Sequence, residues 1–441
     1  MIKIKLLISQ LVLLIVTVTL VACGKTKTGT EQTVTLRFWH SFVSSTVPAL
    51  NALIAKFEQE NPGLKIKAQY VPSGDALMQK LVTAVQSNTA PDISWIHSDF
   101  LEDLVESNAI FKMSRFTKGQ NGLTQADFDD IYTPLIQYAS WRDTLYSLPL
   151  EATNIALLYN RDLFREAGLD PNQPPRTWAE LADFAHRLTV DKDGDGKIDQ
   201  TGLFIPVFPA SGPLGGWMVW QWYPFLWQAG GNLINDDQTR VLYNEDPAVE
   251  ALTLWSELYR DLNLVTFSTD YDVAFASRRL AMAFDGPWNL PRFKVLLKDV
   301  DWGFAPLPAG PVREATIVGG EYLTIFKQSA NPDAAWTFLK WIIQPENQAF
   351  WAMESGYLLV RKSANEVPAF KAYLKENPNF KAFVDQMATS YAQRPIDYHA
   401  MRITTHLAEA LEKATVGGVD PRVALDASAA KSNELLKSVE R

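Results

Sequence analysis

One short segment limits the fold more than any other. Between Asn154 and Asn160 the chain reads NIALLYN, with Ile155, Leu157 and Tyr159 on one face of a strand and Ala156 and Leu158 on the other. A strand that is apolar on both faces must be covered on both, so this one is predicted to be central, not an edge. The period then changes. Asn160 opens a short helix that Gly168 closes, glycine entering the left-handed region just past a helix end without steric cost. Pro171, Pro174 and Pro175 hold an extended turn, and Thr177 with Glu180 forms a capping box ahead of Leu181, Phe184, Ala185 and Leu188. Strand, turn and helix in that order make the stretch 150–178 a crossing from one lobe of the protein into another.

The same alternation recurs upstream. Val34 to Trp39 reads as a strand, and Pro48 to Gln59 as a helix with Leu50, Leu53, Ile54 and Phe57 on one face, ended by Asn61-Pro62-Gly63. Leu64 to Val71 alternates apolar with polar, a helix follows from about Asp75 to Ser87, and Asp92 to Ile96 is a short strand-like run. Strands alternating with helices predict an α/β fold with a parallel or mixed sheet, in which ligands sit outside the carboxyl ends of strands. Trp39-His40-Ser41, Asp75 and Trp95-Ile96-His97-Ser98 fall at or near such ends. Farther on, Val249 to Leu262 is an amphipathic helix and Arg278 to Phe284 a strand-like run. Thr316 to Phe326, with Gly319-Gly320-Glu321-Tyr322, is the expected return crossing.

At 441 residues the chain exceeds the size at which a single core keeps growing, and a 47% hydrophobic composition suffices for two lobes. A net charge of −9 without clustered Lys and Arg argues against a nucleic-acid partner. At the N-terminus Lys3 and Lys5 precede an apolar run from Leu6 to Val21 and then Ala22-Cys23, the shape of a secretory signal. The run is short for a membrane span, and a polar tether, Gly24 to Thr33, follows. Cys23 is the only cysteine, so an exported chain has no intramolecular disulfide and depends on core packing.

Asp191, Asp193, Asp195 and Asp199 occupy positions 1, 3, 5 and 9 of an EF-hand-like loop with Gly196 at 6, but Gly202 stands where the bidentate glutamate belongs. This loop is either a structural Ca²⁺ site or a solvated acidic turn, and no cofactor is required for function. From Trp217 to Trp227 six aromatic residues crowd into eleven positions. Trp220, Tyr223 and Trp227 share a helix stripe and are expected in the core. Trp217 or Trp222, off that stripe, is expected to stack on a ligand. Asp285-Gly286-Pro287-Trp288 is a tight turn presenting a carboxylate and an indole together.

Leu20-Val21-Ala22-Cys23 resembles the bacterial lipobox, which implies lipidation at Cys23. Phe38-Trp39-His40-Ser41, Leu157-Leu158-Tyr159-Asn160, Ala167-Gly168-Leu169-Asp170, Thr177-Trp178, Asp285-Gly286-Pro287-Trp288 and Gly356-Tyr357-Leu358 come in the order found in family 1 extracellular solute-binding proteins of ABC importers, which this chain resembles over nearly all of its mature length. Within that family it is most similar to the sugar and glycerol-3-phosphate branches. The resemblance implies a type II periplasmic-binding-protein-like fold: a signal peptide over 1–22, a tether over 23–33, lobe 1 from 34–150 with about 320–362, and lobe 2 from 151–319 with about 363–441. It also implies a monomer, held by its lipid on the outer face of the cytoplasmic membrane beside the permease it serves.

Carried across by position, the resemblance implies ligand contacts at Trp39 or His40, Asp75, Glu151 to Thr153, Trp217 or Trp222, Asp285, Gly320, Tyr357 and Arg394. Glu321 and Trp288 join them because sugar sites pair aromatic platforms with carboxylate acceptors. Carboxylates at Glu151 and Asp285, where the glycerol phosphate branch has hydroxyls, favour a neutral sugar or polyol over an anion. A cell-surface glycoside hydrolase using Glu151 and Asp285 is the competing class. The chain has no Gly-x-Ser-x-Gly elbow, His-Glu-x-x-His helix or phosphate loop, and a binding protein, not an enzyme, is expected. A surface adhesin, the third class, would saturate with no small molecule.

Overall fold

The structure, a computed structural model, describes residues 33–72, 75–212, 214–261, 270–391 and 396–439. The signal and lipid-anchor reading, Cys23 included, falls outside these residues, as does Arg394, and Asp75 is described by its backbone alone.

Among the described residues, eight strands form the two larger sheets. The first joins β1 (Val34–His40), β2 (Leu64–Tyr70), β3 (Ile93–Ile96), β4 (Leu148–Pro149) and β8 (Tyr322–Ile325) in the order β2-β1-β3-β8-β4. β1 runs parallel to both its neighbours, whereas β8, entering from the far end of the chain, is antiparallel to β3 and β4. Helix α1 (Val47–Glu60) begins with Pro48, whose fixed φ suits a first helical turn. It buries Leu50, Leu53, Ile54 and Phe57, the stripe that periodicity predicted. Phe57 meets Phe338 of the helix Pro332–Ile342 with ring centroids 4.9 Å apart, closing one side of the sheet.

The second sheet is built on the strand that is apolar on both faces. β5 (Ala156–Asn160) is buried at every residue and lies between β6 (Met282–Asp285) and β7 (Trp302–Ala305). It is central, as its two apolar faces require, and both neighbours are antiparallel to it. The Asn160 side chain accepts from the N–H groups of Asp162 and Leu163 and starts a helix, and Gly168 adopts φ +68° after its end. Thr177 caps the next helix through the Glu180 N–H at 3.2 Å. The reciprocal half of the expected capping box is displaced by one residue, because the Glu180 carboxylate takes the Arg176 N–H instead.

The two sheets are joined through the segment 150–155. Leu150 N–H donates to the Glu321 carbonyl at 2.8 Å, Ala152 exchanges two backbone hydrogen bonds with Leu358, and Thr153 exchanges two with Gly319. The outgoing crossing therefore lies between the return crossing on one side and the Gly356-Tyr357-Leu358 segment on the other. Among the described residues no helix is long and apolar enough to cross a membrane.

Candidate functional site

The crossing strands carry two carboxyl groups to one point. Glu151 is 0% exposed, and one of its oxygens accepts from the Trp351 indole at 2.6 Å. Glu321 is on the neighbouring strand, with its Oε1 3.8 Å from His97 Nε2. The remaining oxygens, Oε1 of Glu151 and Oε2 of Glu321, are buried and accept from no donor within the protein. Burial holds Glu151 well above the usual carboxylate range, and the charge of Glu321 pushes the same way. Desolvation lowers the His97 imidazole, but the carboxylates of Glu321 and Asp99 outweigh it and the pKa is raised.

Aromatic side chains from both sheets surround this point. Trp351 and Tyr357 stack at 6.2 Å, Phe42 stands edge-on to both, and the Trp95 and His97 rings are 4.5 Å apart. Tyr357 keeps its phenolic proton, since burial and then the nearby Glu321 and Glu151 raise its pKa. From the second sheet, Trp220 lies against the return crossing: a Cβ placed on Gly319 would be 3.1 Å from its ring. Trp288 follows at 6.1 Å from Trp220. The turn that carries Trp288 is seated on Gly356, which takes φ +86° and has no room for a side chain, because a Cβ there would meet the Pro287 carbonyl at 2.4 Å. Two segments 69 residues apart in sequence, 287 and 356, thus pack directly on each other. His40 is buried beside Phe42 with Nδ1 unpartnered, and burial lowers its pKa to about 4, so it is neutral at physiological pH. Thr153 Oγ1 and Trp95 Nε1 are likewise buried without a partner in the protein.

Several expected site residues are placed differently. The Asp285 carboxylate is 0% exposed and already engaged by Tyr271 OH at 2.6 Å, Gly286 N–H at 2.7 Å and Asn289 Nδ2 at 3.0 Å. It fastens the turn beneath Trp288 and does not form an open carboxylate pair with Glu151. In the helix Gly215–Gln228 the expected pattern is inverted: Trp222 is 0% exposed, while Trp220 and Tyr223, taken as core from their stripe, are only partly buried, and Trp227 alone of that stripe is fully interior. The helix is covered on more than one side, so its buried arc is wider than the stripe. Trp217 packs on Phe208 at 5.5 Å.

Trp39 points to the opposite face of β1 from His40, where Lys80 Nζ stands 4.4 Å over its ring beside an open groove of about 610 Å³. Gly320 acts through its lack of a side chain: a Cβ would lie 2.1 Å from the Glu151 carbonyl oxygen. Asp191, Asp193 and Asp195 gather their carboxylate oxygens within 4.8 Å, whereas Asp199 turns away to the Lys192 N–H. At the twelfth loop position Gly202 is pressed on the Ala185 carbonyl, where a Cβ would come within 1.9 Å, so a glutamate cannot stand there.

Trp351, Phe42 and Trp220 lie in this cluster without a sequence signal for it, whereas Trp95 and His97 had one, their position at the end of a strand.

The sequence and the fold are both similar to those of known proteins. Residues 44–349 match the family model described as bacterial extracellular solute-binding protein. The chain belongs to that family. It is 26% identical to the sn-glycerol-3-phosphate-binding periplasmic protein UgpB of Escherichia coli, over 96% of this chain and 98% of that one. Among solved structures, the cyclic alpha-maltosyl-1,6-maltose binding protein of Arthrobacter globiformis superposes with a TM-score of 0.77 at 27% identity, covering 92% of this chain and 100% of that one. The GacH receptor of Streptomyces glaucescens, described with acarbose, gives a TM-score of 0.78 at 23% identity over 92% and 99% of the two chains, a likeness of fold. A solute-binding protein of this family is extracellular, and the fold is the two-lobed one of these structures.

Proposed function

We propose that this solute-binding protein captures a neutral sugar or polyol between its lobes and delivers it to the permease of an ABC importer, acting as a monomer anchored through a lipid on Cys23. The observation that carries the reading is the hinge itself. Two carboxyl groups, Glu151 and Glu321, lie at the crossings, where Trp220 packs on Gly319 and Trp288 on Trp220, and where His97 stands beside Glu321 and Tyr357 near both carboxyls. Indoles cover the C–H faces of a sugar ring and carboxyls accept from its hydroxyls, so the pieces needed for a polyhydroxylated ligand are present together. A ligand touching both lobes favours the closed arrangement by its differential affinity for it. The lobes divide near residue 150 and near residue 320, where the crossings pair.

The glycerol phosphate named for the Escherichia coli relative is disfavoured for this chain by the same two residues. A phosphate dianion is repelled by the one negative charge that the pair retains unless a cation intervenes, and among the described residues no Lys or Arg is ion-paired with either. Thermal unfolding across a panel of sugars, polyols and glycerol phosphates tests this, since a ligand bound only by the folded protein raises the midpoint. A midpoint raised by one or more neutral sugars is expected. A shift produced by glycerol-3-phosphate alone would overturn the neutral-ligand reading.

A further inference from the structure

We infer that Glu151 and Glu321 hold one proton between them at neutral pH, so that the hinge presents a joint donor and acceptor to the ligand and senses pH through the loss of that proton. The inference deepens the carbohydrate reading of this cleft and rests on it for its role, but not for its test. Glu151 is wholly enclosed and the Glu321 side chain is 12% exposed. Each has one oxygen with no donor, and the two side chains sit on adjacent crossing strands where Leu150 N–H reaches the Glu321 carbonyl at 2.8 Å. Two ionised carboxylates at such a place would leave two buried charges of one sign, which proteins avoid by protonating one of them.

The charged and titratable surroundings supply no full compensation. From β3 comes His97, with Asp99 just beyond it. From the helix Pro345–Ser355 comes the neutral Trp351 donor, and from the following segment and β8 come the phenols of Tyr357 and Tyr322. His97 lies nearer the outer oxygen of Glu321, at 3.8 Å, and can neutralise that carboxylate only while it is itself protonated. The oxygen pair facing inward therefore needs a proton of its own. Its loss on raising the pH places like charges on the two strands that must stay paired for the lobes to close. In the protonated form the pair carries one O–H with acceptor oxygen beside it, where a dianion would have acceptors alone.

The test uses ligand-free protein, so its outcome is independent of which sugar binds. Glu102, which burial raises to about 7, is replaced by Gln throughout to remove its signal. With carbon-13 label in the glutamate carboxyls only, the infrared spectrum at pH 7 is expected to show a protonated-acid carbonyl band that vanishes on alkalisation. Glu151→Gln should remove that band, and Glu321→Gln, which takes away the neighbouring charge but leaves Glu151 buried, should lower the pH at which it vanishes. Their stability relative to the parent should rise steadily as pH increases, because only the parent must ionise a second buried carboxyl. A spectrum at pH 7 containing ionised glutamates alone overturns the inference even if neither variant folds. A band retained in Glu151→Gln, with a pH-independent stability difference, overturns it as well.

Discussion

Gly320 lies so close over the peptide of Glu151 that a methyl group on it would stand 2.1 Å from the carbonyl oxygen. The two crossing strands meet at this point, and the approach sets the separation of the Glu151 and Glu321 carboxyls. Replacing Gly320 with Ala forces the strands apart at the hinge. Overpacking of this kind costs about 1–3 kcal/mol, to be read as a lower denaturation midpoint, and sugar affinity should fall with it. A Gly320→Ala variant of unchanged stability and affinity would show that the crossing yields without consequence.

Trp220 and Trp222 lie two positions apart on one helix and should fail in different ways. Trp220→Ala removes a half-buried ring beside Trp288 and should weaken ligand binding by ~1–3 kcal/mol while leaving the fold nearly intact. Trp222→Ala empties a fully enclosed site and should reduce stability by ~3–5 kcal/mol. Calorimetric titration and chemical denaturation of both variants separate the two effects. Equal losses of affinity would place both indoles on the ligand.

Asp285 gives a pH dependence of definite sign. Burial raises its carboxyl to about 7, outweighing the hydrogen bonds from Tyr271, Gly286 and Asn289 that favour the ionised form. The folded protein then binds this proton more tightly than the unfolded chain does. Stability contributed here is full below the ordinary carboxylate range and is lost as pH rises toward about 7. Denaturation of wild type and Asp285→Asn over that window should show a flatter slope in the variant, and parallel curves would contradict the assignment.

On the proposed lobe boundaries, two further hydrogen bonds join the lobes away from the carboxyl pair. Trp141 donates its indole N–H to the Asp397 carbonyl at 2.7 Å, and Glu102 accepts the His399 N–H at 2.6 Å. These contacts favour closure without meeting a ligand. Trp141→Phe deletes one hydrogen bond worth about 1 kcal/mol and should speed ligand release with little change in association rate, measurable by stopped-flow tryptophan fluorescence. An unchanged release rate would remove this contact from the closure equilibrium.

Local rules made much of the fold readable in advance. A strand apolar on both faces had to be central, Asn160 and Thr177 had side chains able to cap helices, and Gly168 had the conformational freedom to end one; each depends on neighbours within a few residues. The chain by itself therefore determined the alternation of strands and helices, the two crossings, and Glu151 as the polar residue placed before a buried strand.

Only the tertiary structure decided which side chains meet. Glu151 and Glu321 are 170 residues apart, Pro287 and Gly356 sixty-nine, and Glu151 and Trp351 two hundred. No periodicity encodes such distances. The same reason explains the inversion of Trp220 and Trp222 and the enclosure of Asp285. Helical spacing predicts which residues share a face, but what covers that face comes from elements remote in sequence, and burial is settled only when they pack.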